Sequence, residues 1–131
     1  LAGSRDVLEL HGSIWRLRCV GCGREAENRV TGLSKVPLCA CGGMLRPGVV
    51  WFGESLPADV FNRSYALAAE ADFVLVVGTS GVVQPAASLV SVAKDGGAFI
   101  VEVNPEETPL KGLADVTFHE AAGEIVPRLL K

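Results

Sequence analysis

"DFVLVVGTSG", residues 72–81, sets five consecutive apolar side chains, Phe73 to Val77, ahead of a glycine and two hydroxyl-bearing residues. A short unbroken apolar run closed by such a turn has the pattern of a parallel strand covered on both faces. Just before it, "PADVFNRSYALAAEA" (57–71) opens on a proline suited to a first helical turn and puts Val60, Phe61, Tyr65 and Ala68 on one face, so a helix is predicted there. Just after it, Val83, Ala86, Ala87, Val90 and Ala93 recur at helical spacing until Asp95, Gly96 and Gly97 stop the pattern. "AFIVEV" (98–103) then reads as a second strand, closed by Asn104 and Pro105, and "DVTF" (115–118) as a short third one. Ile125, Val126, Leu129 and Leu130 mark a terminal helix. Strands alternating with helices of this length predict an α/β fold with a Rossmann-like parallel sheet flanked by helices. Ligands of such sheets sit at the carboxyl ends of the strands.

Residues 15–47 break this rhythm, being rich in Gly and Cys and poor in periodicity. They are expected to form a small inserted zinc-ribbon module, with 1–14 and 48–131 making the α/β part. All four cysteines of the chain, Cys19, Cys22, Cys39 and Cys41, fall within this stretch. Four thiolates close a tetrahedral shell around zinc, and two cysteine pairs at this separation have the spacing of such a site, although the second pair is C-x-C rather than C-x-x-C. Two disulfides are the poorer alternative, since a bridge across C-x-C is strained. A metal with four protein ligands has no open position, so its role is structural. "GCGREA" (21–26) matches a dinucleotide fingerprint only formally, because it contains Cys22 and no amphipathic helix follows.

The 131 residues suit one domain, or one domain with a small insert. With 49% apolar and 21% charged residues the chain is expected to be cored rather than disordered. A net charge of −3 speaks against general nucleic-acid binding, and no apolar run reaches the ~18 residues of a membrane helix. A soluble, cytoplasmic protein with neither nucleic-acid nor membrane partners is the expectation.

Several positions admit two readings on local evidence. Gly78, Thr79 and Ser80 join a strand to a helix, where backbone N–H groups and hydroxyls could receive phosphate or ribose, or simply cap the helix. Asn104 could bond a sugar hydroxyl or only begin an Asn-Pro turn. "RPGVVWFGE" (46–54) reads first as a buried strand, yet Trp51 and Phe52 at its end could line a groove that pairs with an extended peptide. His11, following the strand-like "VLEL" and preceding Gly12, could accept a proton or merely end a strand.

Taken in order, "ELHGS", the paired cysteines, "RPGVVWFGE", "GTSGVVQPA", "VEVNPE" and "AAGEIVP" resemble the sirtuins, the NAD-dependent protein lysine deacylases, over essentially the whole chain. That resemblance implies that His11 is the general base acting on a ribose hydroxyl of NAD. Val50, Trp51, Phe52, Gly53 and Glu54 would pair with the substrate backbone and help form the acyl-lysine tunnel. Gly78, Thr79 and Ser80 would form the NAD-binding turn, Asn104, Pro105 and Glu106 the adenosine-ribose segment, and Ala122 a backbone contact near adenine. Cys19, Cys22, Cys39 and Cys41 would hold a structural zinc. The products would be free lysine, nicotinamide and 2'-O-acyl-ADP-ribose. The partners implied are NAD and acyl-lysine proteins or peptides.

Two departures from the sirtuin pattern stand out. Gly81 replaces a bulkier apolar residue after "GTS", which is expected to loosen the helix start or the packing beside NAD. The Gly-rich phosphate turn, the cofactor loop ending in Phe-Arg and the Gln-Asn-x-Asp segment are not among these residues, so the chain resembles the C-terminal portion of a sirtuin with a partial NAD pocket. Weak activity alone, and self-association through open sheet edges or a need for an N-terminal segment, are expected. The competing function is a non-catalytic zinc-ribbon and α/β module that binds a peptide or nucleotide without turning it over.

Overall fold

The computed structural model describes residues 3–32 and 35–129. They form two compact units, residues 1–60 and 61–131. The first unit holds residues 1–14 and 48–60 together with the 15–47 stretch.

In the first unit, β1 (Gly12–Cys19) pairs antiparallel with β2 (Glu25–Glu27) on one side and β3 (Leu45–Val49) on the other. The "VLEL" run is not a strand; His11 stands immediately before β1 rather than at the end of a strand. The β1–β3 register shifts between Ser13 and Leu17, and that irregularity breaks the two-residue alternation by which a strand is recognised in sequence. Pro47 is tolerated because β3 is an edge strand. The strand expected across 46–54 ends at Val49, and Trp51 and Phe52 lie exposed beyond it.

The second unit carries the parallel sheet. β4 (Phe73–Val77), β5 (Phe99–Val103) and β6 (Val116–Phe118) lie side by side in chain order, every neighbour parallel. β5 is central and is buried from Ile100 to Val103. β4, expected to be covered on both faces, has a single neighbouring strand among the described residues and leaves Phe73 and Val77 exposed. α1 (Ala58–Ala69) precedes β4, α2 (Ser88–Asp95) joins β4 to β5, a single 3-10 turn at Pro109–Gly112 joins β5 to β6, and α3 (Ala122–Leu129) follows. Leu130, expected in the last helix, lies outside the described residues.

Two apolar clusters sandwich the sheet. Val76 and Ile100 pack with Val90 and Ala93 of α2 and with Leu110, while Val101 and Val103 pack with Ile125 of α3. Alternation along β5 explains the division, since Ile100 and Val101 point to opposite faces. α2 starts five residues later than the periodicity from Val83 suggests. Pro85 has no N–H to give and biases Gln84 away from helical geometry, so residues 84–87 turn before the helix settles.

Candidate functional site

The cysteines meet at one point. All four Sγ atoms lie within 4.8 Å of one another, with Cys19 and Cys41 at 3.5 Å, Cys22 and Cys39 at 3.7 Å, and no disulfide. A tetrahedral zinc with Zn–S bonds of about 2.3 Å separates its sulfurs by about 3.8 Å, so the cluster has the dimensions of the ion. Space is kept for it: a Cβ on Gly43 would lie 2.8 Å from Cys19 Sγ and 3.4 Å from Cys41 Sγ. The Cys22 backbone N–H, with smaller contributions from its neighbours, holds the Cys19 thiol down to about 6. The Gly43 backbone lowers Cys41 too, but the three adjacent sulfurs together outweigh it and push that thiol up to about 11. Sulfurs this close ionise together only around a cation. These residues fit a structural zinc.

From this cluster β1 runs back to Gly12, where the chain reaches His11. The His11 carbonyl accepts from Val50 N–H at 2.9 Å, so the imidazole-bearing residue is fastened to the start of the 50–54 loop. Gly12 makes this possible: at φ +71° it faces Val49, and a Cβ there would stand 2.0 Å from the Gly48 carbonyl oxygen.

Below the loop lies a clamp that no motif in the sequence announces. Arg46 donates to both Glu54 carboxylate oxygens at 2.8 and 2.9 Å, reaches the Val49 carbonyl at 3.3 Å, and stacks 4.5 Å from the centre of the Trp51 ring. Glu54 also accepts from Trp51 N–H at 3.1 Å. Gly53, at φ +88°, lets the chain turn between them, and Phe52 is left 96% exposed at the tip. Gly12, Val49, Val50 and Glu54 border a cleft of ≈ 870 Å³ within this unit. The loop is thus an arch that presents aromatic surface outward, with the Val50, Trp51 and Glu54 N–H groups bonded to His11, Glu54 and Trp51.

The Arg46 bond, then the Trp51 N–H, hold the Glu54 carboxyl below its ordinary value of 4.5. A depressed folded pKa means the clamp is at full strength above that ordinary value and is lost as pH falls through the folded one. In a Trp15→Phe background, leaving Trp51 as the only indole, acidification below 4.5 is expected to shift the Trp51 fluorescence, and Glu54→Gln to show the shifted spectrum already at neutral pH. An unchanged spectrum in Glu54→Gln would contradict the clamp.

In the second unit the expected nucleotide residues gather at the carboxyl ends of β4 and β5. Gly78 N–H bonds the Val103 carbonyl at 3.0 Å, and Asn104 Nδ2 bonds the Thr79 carbonyl at 2.6 Å. Asn104 Oδ1 accepts from Glu106 N–H at 3.2 Å. Asn104 therefore ties the Gly78–Ser80 turn to the Asn104–Glu106 turn and, among the described residues, keeps one amide hydrogen and one lone pair free. Pro105 and Glu106 are exposed, as are Gly78, Thr79 and Ser80; Ala122 opens α3 against the Val101–Val103–Ile125 cluster. Gly81 is itself closely packed. It is buried at φ +67°, and the Leu110 side chain takes the space, since a Cβ on Gly81 would lie 2.6 Å from Leu110 Cγ.

The family model described as "Sir2 family" matches residues 1–85. The chain belongs to the Sir2 family. An NAD-dependent protein deacylase of Aquifex aeolicus is 58% identical over 123 residues, covering 92% of this chain and 52% of the relative. NAD-dependent protein deacylase 2 of Pyrobaculum aerophilum is 51% identical over 131 residues, covering 99% and 53%. A crystal structure of a Sir2 homologue in complex with NAD superposes with a TM-score of 0.94 at 47% identity, over 98% of this chain and 51% of its own. A Sir2 complex with a p53 peptide and NAD+ gives 0.88 at 34% identity, over 98% and 55%. This Sir2-family chain spans about half the length of the curated relatives it matches. The mixed α/β fold and the zinc-ready cysteine cluster agree with that membership.

Proposed function

We propose that these residues supply the general base, the peptide-pairing loop and part of the nucleotide site of an NAD-dependent protein lysine deacylase. The observation that carries the proposal is the 2.9 Å bond from Val50 N–H to the His11 carbonyl, which fastens the backbone of His11 to the root of the arch that offers Trp51 and Phe52. The relatives' activity and the peptide and NAD complexes of similar proteins support it.

In this reading an extended acyl-lysine peptide pairs with the backbone of Val50–Glu54, and the Arg46–Glu54 clamp keeps that backbone from moving. Gly78, Thr79 and Ser80 receive the phosphates through N–H and hydroxyl donors, Asn104, Pro105 and Glu106 meet the adenosine ribose, and Ala122 lies by adenine. The acyl oxygen of the substrate lysine would first displace nicotinamide from the anomeric carbon. His11 would then take the proton of the adjacent 2'-hydroxyl as that hydroxyl oxygen attacks the imidate carbon, and addition of water releases free lysine and 2'-O-acyl-ADP-ribose. A zinc ion would be held by Cys19, Cys22, Cys39 and Cys41, would take no part in the chemistry and would brace β1 and β3.

A chimera tests this directly. When these 131 residues replace the matching region of the Aquifex aeolicus relative, NAD-dependent deacetylation of an acetyl-lysine peptide is expected, and His11→Ala in the chimera should lower kcat by about 10²- to 10⁴-fold. A folded, zinc-loaded chimera that binds peptide but releases no nicotinamide would favour the non-catalytic module instead. The 131-residue chain alone is expected to turn over far more slowly than the chimera. Orienting both reactants is worth roughly 7–11 kcal/mol, and half of a relative's length offers fewer groups to do it.

A further inference from the structure

Glu102 sits in the middle of β5 on the same face as Ile100, and is 1% exposed. No lysine or arginine bonds it among the described residues. Its Oε1 accepts from the Thr108 hydroxyl, and its Oε2 has no hydrogen-bond partner among the described residues. Thr108, itself 9% exposed, accepts in turn from Leu110 N–H at 3.1 Å and so caps the 3-10 turn. Leu110 is the side chain that fills the space beneath Gly81.

These contacts form one chain of support. Glu102 and Thr108 lie on either side of the Asn104–Glu106 turn, and their bond pins the far end of that segment back onto the strand it left. The Leu110 contact carries the same constraint to the Gly78–Gly81 turn, which Asn104 already ties from the other side. A buried carboxylate with one unpartnered oxygen costs stability, and replacing such a pair by apolar groups of similar shape is often neutral or stabilising. Stability is therefore a poor explanation for this pair, and geometry is a better one.

We infer that Glu102 and Thr108 are positioning residues that set the spacing of the two nucleotide-binding turns. This rests on the proposed nucleotide role of Gly78–Ser80 and Asn104–Glu106. Neither residue is expected to touch the nucleotide. The hydroxyl of Thr108 is the essential element, because it alone both donates to Glu102 and accepts from Leu110.

The test uses the 131-residue chain, zinc-loaded, with ADP-ribose as the probe. Thr108→Val and the double variant Glu102→Leu/Thr108→Val are expected to melt no lower than the wild type, yet to exchange the Glu106 amide at least 10-fold faster and to bind ADP-ribose at least 10-fold more weakly. Thr108→Ser, which keeps the hydroxyl, and Glu102→Gln, which keeps an acceptor, are expected to restore both. Unchanged exchange and affinity in Thr108→Val would overturn the inference, as would losses that follow a fall in melting temperature in every variant. If the wild type binds no ADP-ribose while Thr108→Val still frees the Glu106 amide, the nucleotide reading fails and the positioning of the turn stands.

Discussion

Substituting Cys22 by serine, or stripping the metal with a chelator, is expected to dissolve the β1–β2–β3 sheet while the β4–β5–β6 sheet keeps its protected amides. The asymmetry follows from where apolar surface is buried. Among the described residues, Val76, Val90, Ala93, Ala98, Ile100, Val101, Val103, Leu110 and Ile125 are buried in the second unit, whereas Cys19 is the single buried apolar residue of the first. A three-stranded sheet with no interior of its own cannot offset the entropy of ordering its chain by the hydrophobic effect. Structural zinc supplies apparent binding energies of about 10–16 kcal/mol in small zinc-folded peptides, more than enough to fill that role. Cys22 is the informative position because it is exposed, so serine removes a ligand without disturbing packing. The expected result is one zinc per wild-type chain and none retained at micromolar concentration by Cys22→Ser. Amide exchange should approach unfolded rates in β1 and β3 and stay near wild type in β5. Persistent protection of β1 after chelation would mean that the metal is not what holds the sheet.

The same asymmetry decides how much of each unit is legible in the sequence. In the second unit a real core imposes its period on the chain, so the three strands and their parallel sheet follow from the runs at 73–77, 98–103 and 115–118, and α2, apart from its start, from the spacing between Val83 and Ala93. In the first unit the metal replaces the core, and the cysteine spacing announces the ion while β1 and β2 stay hidden and β3 is read only within a longer run at 46–54. β1 escapes recognition because its bulge spoils alternation and because Ile14 and Trp15 remain exposed rather than facing an interior. Trp51 and Phe52 mislead for the converse reason: apolar residues at the end of a strand look buried, but a charge clamp holds this loop out in solvent. Arg46 and Glu54 stand eight residues apart, a separation that neither helix nor strand periodicity brings together, and only the turn at Gly53 makes them meet. Glu102 is hidden inside an apolar strand pattern, where a lone carboxylate looks like an ordinary solvent-facing position. Oppositely charged residues flanking an apolar run, and an acid inside one, are the signals that could have found both.

Gly12→Ala is expected to cost roughly 3 kcal/mol or more and to detach His11 from the loop, while Gly53→Ala costs only about 1–2 kcal/mol. Both glycines have positive φ, +71° and +88°, so alanine meets the left-handed penalty of about 1–2 kcal/mol at each. The difference lies in what surrounds them. A Cβ on Gly53 meets nothing within 4 Å, whereas on Gly12 it meets the Gly48 carbonyl oxygen at 2.0 Å and Val49 Cα at 3.2 Å. Those are backbone atoms of the paired strand and no rotamer change relieves them, so β1 and β3 must separate at their His11 end. The Val50 N–H bond to the His11 carbonyl is then lost with the Gly12–Val49 pairing. Urea unfolding of both variants at saturating zinc measures the two costs on a common scale, and the exchange rate of the Val50 amide reports whether His11 has come loose. Equal costs with a protected Val50 amide would mean that Gly12 serves only the turn. Unequal costs with an exposed Val50 amide would mean that the close approach of two backbones at Gly12 is what fixes His11 beside the 50–54 loop, so that the position of this residue is a property of strand pairing rather than of the histidine's own contacts.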